Sequence, residues 1–329
     1  MSGIHQWARA GIACFALAGS ALAWSAGPAQ AQTYPERPIR FVLGFPPGSG
    51  GDLLARWFSA KMAEVSGATV IVENKPGAGG NLANEYVAKA KPDGHTLLFG
   101  GAAGLAAGPY LYKSLPFDAA KDFTPVTSVA ELVFALTVPA DGPKDVAELA
   151  RQVKAKGAKA TYGWAVTTSI ASAVLFLKDA QLTEVTQVTY KTTPATVSDV
   201  AAKQVDFAFA DVMYALGQEK AGKVKILATT GPRRPSAAPD APTMMEAGYR
   251  SVDMAPWWAV FAPTGTPAPV IDKLEGWLNA VVESPATREF LVSQGADPLR
   301  GDRASVARRL KADDARWKEV TSLAKMQPM

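Results

Sequence analysis

The sequence predicts an α/β protein of two lobes joined by two crossover segments, and three observations carry that expectation. Between residues 38 and 100, short apolar runs alternate with glycine-rich turns and helix-spaced stripes, a βαβαβ pattern that requires a parallel sheet covered on both faces. The alternation resumes near residue 143. Two apolar, extended stretches, residues 130–139 and 251–263, lie where the chain would leave one lobe and return to it, as in a hinged binding protein. The expected division is therefore a leader at 1–31, the first part of domain 1 at 32–133, domain 2 at 134–251, and a return to domain 1 with C-terminal helices at 252–329.

The elements follow in order. Residues 39–43 form a first strand, ended by the turn formers Gly44-Phe45-Pro46-Pro47-Gly48-Ser49-Gly50-Gly51. A helix follows, with Leu54, Trp57, Phe58, Met62 and Val65 as its buried stripe and Asp52 at its start as a plain N-cap. Residues 70–73 make a second strand, Pro76-Gly77-Ala78-Gly79-Gly80 a second glycine loop, 82–90 a helix and 96–99 a third strand. In the second unit, a helix runs to residue 156 and another spans 170–180. Strands are expected at 160–164, 185–190, 205–209 and 224–229, and after residue 263 the chain reads as helical to its end. Ligands of such sheets bind outside the carboxyl ends of the strands, where two glycine-rich loops lead directly into helices.

The leader carries Arg9 as its only charged side chain, an apolar stretch to about Trp24, and then Ala29-Gln30-Ala31. This pattern predicts cleavage after Ala31 and export to the periplasm; a retained anchor is the competing reading, and the stretch is short for one. Cys14, the single cysteine, falls inside the leader and lacks a lipid-attachment context. The mature chain is thus left without disulfide, thiol nucleophile or cysteine metal site. Overall, 34 basic groups against 30 acidic ones are spread along the chain, so nucleic acid is not an expected partner.

The residues exclude most enzymatic chemistry. The first glycine loop has no lysine to make it a phosphate-binding P-loop, and neither loop has the third glycine of a dinucleotide fingerprint. Ser49 has Pro47, not glycine, two residues before it, so it is not a nucleophile elbow. His95 is the one histidine outside the leader and stands in a Pro92-Asp93-Gly94 turn, where a surface position is expected. Zinc lacks ligands and calcium lacks a clustered acidic loop. No catalytic residue, metal or cofactor is expected. The glycine loops can instead hold an anion, because helix-start amides point outward unpaired and glycine allows close approach. One helix end supplies about 1 kcal/mol, against about 8 kcal/mol for micromolar affinity. The rest has to come from neutral hydrogen bonds and from closing a cleft over the ligand.

Several motifs carry a resemblance. Tyr34-Pro35-Glu36-Arg37-Pro38-Ile39, the Phe45 to Asp52 loop, Val72-Glu73-Asn74-Lys75-Pro76-Gly77-Ala78-Gly79-Gly80 and Pro92-Asp93-Gly94-His95-Thr96 resemble the Bug family. So do Lys121-Asp122-Phe123-Thr124-Pro125 and Trp258 with Ala262-Pro263. These proteins are extracytoplasmic receptors of tripartite tricarboxylate transporters, and the likeness spans nearly all of the chain beyond the leader.

The resemblance implies a type II periplasmic-binding-protein fold, a small-molecule carboxylate ligand, no enzymatic activity, a monomer, and membrane permease subunits as partners. It also implies a ligand site. In domain 1 this comprises Pro47, Gly48, Ser49, Gly50 and Gly51, then Gly77, Ala78, Gly79 and Gly80, and the strand end Gly101, Ala102 and Ala103. Domain 2 would add Thr167, Thr168 and Ser169, with Ala210 and Asp211. Two departures fall on this site: Ser49-Gly50-Gly51 stands where Gly-Pro-Thr is common, and the loop before Ser169 is shorter, with Ile170 in place of a histidine.

Trp164 lies in that shortened loop. It either stacks on an aromatic ligand or belongs to the core, and Asp211 either faces the ligand or caps a helix. The ligand-facing readings favour an aromatic or hydroxylated monocarboxylate over a tricarboxylate. A stand-alone carboxylate sensor shares every one of these features, whereas a periplasmic hydrolase is disfavoured by the scarcity of histidine and cysteine.

Overall fold

The computed structural model describes residues 34–326 and 328. The expected leader and its cleavage site after Ala31 lie outside the described residues. Contacts divide the chain into Met1–Glu36 and Arg37–Met329, and every strand and helix among the described residues belongs to the second unit.

Strand β1 (Ile39–Leu43) buries Ile39, Phe41, Val42 and Leu43 completely, with only Arg40 interrupting the apolar run, as suits a strand inside a sheet covered on both faces. It pairs in parallel with β2 (Val70–Asn74) and β3 (Thr96–Gly101). Helix α1 (Gly50–Ser66) joins β1 to β2, and α2 (Asn81–Ala88) joins β2 to β3. Leu54, Phe58 and Met62 of α1 are buried as the spacing predicts. Trp57 is half-buried, stacked on Phe290 at 4.2 Å with its indole N–H on Thr287, and Val65 is left outside the stripe, 49% exposed.

Helix α3 (Ala102–Leu111) follows β3 immediately, and β4 (Phe123–Leu132) then leads to the second sheet. Only Val133 separates β4 from β5 (Phe134–Pro139), so a single residue makes the first crossover. The second sheet has the order β7-β6-β8-β5-β9, with β6 (Thr161–Trp164), β7 (Thr186–Thr189), β8 (Phe207–Asp211) and β9 (Val224–Thr229). Its helices are α4 (Val146–Lys156), α5 (Thr167–Asp179), α6 (Thr193–Ala201) and α7 (Val212–Lys220). Helix α5 begins three residues before the expected start at Ile170.

The second crossover, residues 230–256, returns the chain to β10 (Trp257–Pro263). Helices α8 (Ala268–Glu283) and α9 (Pro285–Ser293), the short β11 (Ala296–Pro298) and α10 (Arg303–Leu323) complete the described chain. Two expectations are corrected here. The first sheet is mixed, order β11-β4-β10-β3-β1-β2, because the returning β10 inserts antiparallel between β3 and β4, while β4 itself runs in the sense of β1 to β3. The C-terminal part is also not purely helical, since β11 pairs with β4 at the sheet edge.

The cores of the two sheets share a helix. Val306, near the start of α10, lies in the cluster with Val42, Leu98 and Trp257, whereas Trp317 and Val320 lie with Ile170, Leu175 and Phe176 of α5. The crossovers meet at Gly231, where φ is +92° and an added Cβ would lie 3.1 Å from Val133 and 3.3 Å from Ala255.

Candidate ligand-binding site

Six described helices begin at the carboxyl ends of parallel strands, and the first turns of five of them, α1, α2, α3, α5 and α7, with the loops that lead into them, hold the expected site residues. After β1 the chain turns through residues 44–49. Gly44 lies so close to Gly80 that a Cβ on Gly44 would sit 2.4 Å from the Gly80 Cα, so the two glycine loops touch backbone to backbone.

Ser49, not Asp52, caps α1: its hydroxyl accepts from the Asp52 amide at 3.3 Å and donates to the Pro46 carbonyl at 2.7 Å. The expectation of Asp52 as a plain N-cap is thereby corrected. Its buried carboxylate accepts from the Gly48 amide at 2.8 Å, from Arg56 Nε at 2.9 Å and from Asn74 Nδ2 at 2.8 Å. The same Asn74 amide donates to the Phe45 carbonyl at 3.0 Å. The Arg56 hydrogen bond, helped by the Gly48 and Asn74 donors, holds the Asp52 carboxyl at about 2, below its ordinary 3.8, against the burial that opposes ionisation.

The second loop carries Ala78 at φ +47°, Gly79 at φ +65° and Gly80 at φ +98°. A Cβ on Gly79 would lie 2.2 Å from the Tyr112 hydroxyl, and one on Gly77 would lie 2.6 Å from Leu82. These glycines serve protein packing as well as any ligand. Gly50 and Gly101 differ, since nothing lies within 4 Å of a Cβ added at either position. Gly51 is packed beneath Trp258, whose ring would be 2.4 Å from its Cβ. Pro47 is exposed at the turn.

Between the two loops and the ends of β3 and β10 is a pocket of about 180 Å³, walled by Phe45, Asn84, Gly101, Gly104 and Trp258. Trp258 packs on Phe45 at 5.1 Å and on Phe99 at 5.8 Å, and pairs with Gly101 across the sheet. Sequence reasoning did not assign Phe45, Asn84, Gly104 or Trp258 to the site. One signal was available: a phenylalanine within a run of turn formers has no turn role of its own.

In the second sheet, Ser169 is buried and its hydroxyl is committed to α5, donating to the Val166 carbonyl at 2.7 Å and accepting from the Val166 amide at 3.2 Å. Thr167 and Thr168 are half-buried in the first turn of that helix. Ala210 is fully buried, leaving its backbone as its polar group. Asp211 caps α7 through the Tyr214 amide at 2.9 Å. Trp164 is half-buried on the same face of β6 as Tyr162, against the cluster that includes Ile170. Its indole N–H is buried without a hydrogen-bond partner among the described residues.

Helix α3 links the two sets. Its first residue, Ala102, continues from the end of β3, and one turn later Ala106 and Ala107 lie in the cluster that holds Ile170, Ala171 and the packed Trp164.

Among the described residues, the amides of Gly50, Gly51, Ala102, Thr167 and Thr168 find no acceptor, whereas those of Gly48 and Ser169 are already used. No lysine or arginine stands among the candidate residues. The arrangement suits an anion held by backbone dipoles. His95 is buried, not at the surface as expected, with its Nδ1 3.3 Å from Asp93. It precedes the amino end of β3, away from the strand ends that carry the candidate site. No group of three or more potential metal ligands occurs among the described residues, nor is any described helix long and apolar enough to cross a membrane.

The family described as "Tripartite tricarboxylate transporter family receptor" matches residues 54–325. The chain belongs to this family. It is 32% identical over 282 residues to Protein BugT of Bordetella pertussis, covering 85% of this chain and 86% of that relative. Among solved structures, Rpa4515 of R. palustris with adipate shares 30% identity at a TM-score of 0.73, over 90% of this chain and 100% of that one. MatC of Rhodopseudomonas palustris with bound malate shares 31% at 0.69, over 87% and 99%. The receptor is thus a Bug-type solute-binding protein with the fold of periplasmic binding proteins, and its family is one of receptors, not enzymes.

Proposed function

We propose that this receptor captures a small carboxylate between its two sheets in the periplasm, after cleavage of its leader behind Ala31, and presents it to permease subunits of a tripartite tricarboxylate-type transporter. The ligand is an aromatic or hydroxylated monocarboxylate. The observation that carries this reading is the set of unpaired helix-start amides on both sheets with no cationic side chain among them. Such a site neutralises one carboxylate with partial charges but offers nothing for the second and third charges of a tricarboxylate. Phe45 and Trp258 on one side and Trp164 on the other supply flat apolar surface, and the Asp211 carboxylate repels further negative charge. The adipate and malate found with the neighbours support the carboxylate class.

Calorimetry on refolded protein with benzoate, 4-hydroxybenzoate, adipate, malate and citrate tests the proposal. The two aromatic acids should bind most tightly, and a ligand at about 100 times its Kd should stabilise the fold by about 2.7 kcal/mol. Preference for citrate overturns the monocarboxylate assignment, and silence toward every acid overturns the carboxylate reading itself.

A further inference from the structure

A separate pocket lies outside the candidate site. It is a groove of about 800 Å³ along the outer face of α2, with Leu82, Tyr86 and Ala90 in its lining and Arg37, Arg40, Lys75, Lys89 and Lys91 around them. Glu85 is the one acidic residue in the lining. Leu82 is 51% and Tyr86 36% exposed, although a helix this short would ordinarily turn such side chains inward. Four of the cations stand in partly exposed ion pairs: Arg37 with Asp93 at 2.6 Å, Lys75 with Glu73 at 2.8 Å, Lys89 with Glu85 at 2.5 Å, and Arg40 with Glu73 at 3.6 Å. Lys75 also lies over the Tyr86 ring, 4.0 Å from its centre. Lys91 has no ion pair among the described residues. Exposed pairs of this kind are worth about 0–1 kcal/mol each, so an incoming acid can replace them at little cost.

Position adds to chemistry. Leu82 fills the space beside Gly77, where a Cβ would lie 2.6 Å from its methyl group, so one end of the groove rests on the second glycine loop. All the lining residues come from the segment leading into β1, from β1 to β3, from α2 and from their connections, so an occupied groove leaves the second sheet free to move.

Resting on the receptor reading above, we propose that this groove docks an acidic segment with apolar side chains, contributed by a membrane subunit of the transporter. The cationic rim selects the acids, Leu82 and Tyr86 receive the apolar side chains, and contact at Leu82 lets the partner sense the ligand loop.

The test uses the full mature chain and nanodiscs that carry the membrane subunits with which it restores uptake. Lys89→Glu/Lys91→Glu should weaken binding to these discs at least tenfold, while calorimetry with the tightest acid of the panel remains unchanged. Lys89→Arg/Lys91→Arg should restore docking, and the wild-type affinity should fall as salt rises. Unchanged docking by the charge-reversed protein, or equal binding to discs without subunits, overturns the proposal. A receptor that restores uptake with no membrane subunits also overturns it, whereas calorimetry alone decides the solute-binding reading.

Discussion

Asp52 and Asn74 are joined by a 2.8 Å hydrogen bond that ties the start of α1 to the end of β2, and so holds the two glycine loops in one arrangement. Asp52 reaches Gly48 in the first loop, while Asn74 reaches Phe45 and stands three residues before Gly77. The loops are therefore set before any ligand arrives, which lowers the ordering cost of binding.

Asp52→Asn should lose the Arg56 ion pair and at least one of the three hydrogen bonds. We expect a stability loss of about 1–3 kcal/mol and weaker ligand binding, read by denaturant titration and calorimetry. The pH dependence has a definite sign. The folded-state pKa of about 2 lies below the ordinary 3.8, so the Asp52 contribution is fully present above 3.8 and is lost as pH falls toward 2. The variant should lose less stability than wild type across that window; identical acid profiles would show that Asp52 does not supply this stability.

Gly50→Ala and Gly101→Ala separate ligand contact from packing. Both positions have open space for a Cβ and no positive φ, so stability should change by no more than about 1 kcal/mol while affinity drops at least tenfold. Gly79→Ala should behave differently, because its φ of +65° and the Tyr112 hydroxyl penalise the fold itself. Melting curves beside binding isotherms distinguish them, and full affinity in both open-position variants would remove these residues from the site.

Trp164→Phe removes a buried N–H that has no partner, so the ligand-free protein should be no less stable. Trp164→Ala should cost aromatic acids about two- to tenfold in affinity, the equivalent of about 0.5–1.5 kcal/mol for a ring contact. Indifference of benzoate binding to the alanine variant would return Trp164 to a packing role alone.

Ligand binding should draw the sheets together about the two crossovers, with movement at Val133 and at Gly231, where they pack. Solution scattering should give a smaller radius of gyration with a tight ligand, and Gly231→Val should blunt the change. Equal radii with and without a saturating ligand would exclude closure.

The sequence alone determined the order of strands, loops and helices around both glycine loops, because apolar periodicity and turn-forming residues act within a few positions. Residues 39–43 and 224–229 emerge as strands with the expected limits, and the glycine loops stand at strand ends as expected. Tertiary structure decided what each polar group has left to offer. Gly48 and Ser169 looked like ligand donors, yet Asp52 takes the Gly48 amide and Val166 takes the Ser169 hydroxyl, through contacts that depend on how each turn folds. Trp258 reached the pocket only through pairing with Gly101, more than 150 residues away in the chain. The antiparallel insertion of β10 between β3 and β4 was equally illegible, since an apolar strand reads the same in either direction. Periodicity reports which face is buried, whereas partner and direction are set by the other strands of the assembled sheet.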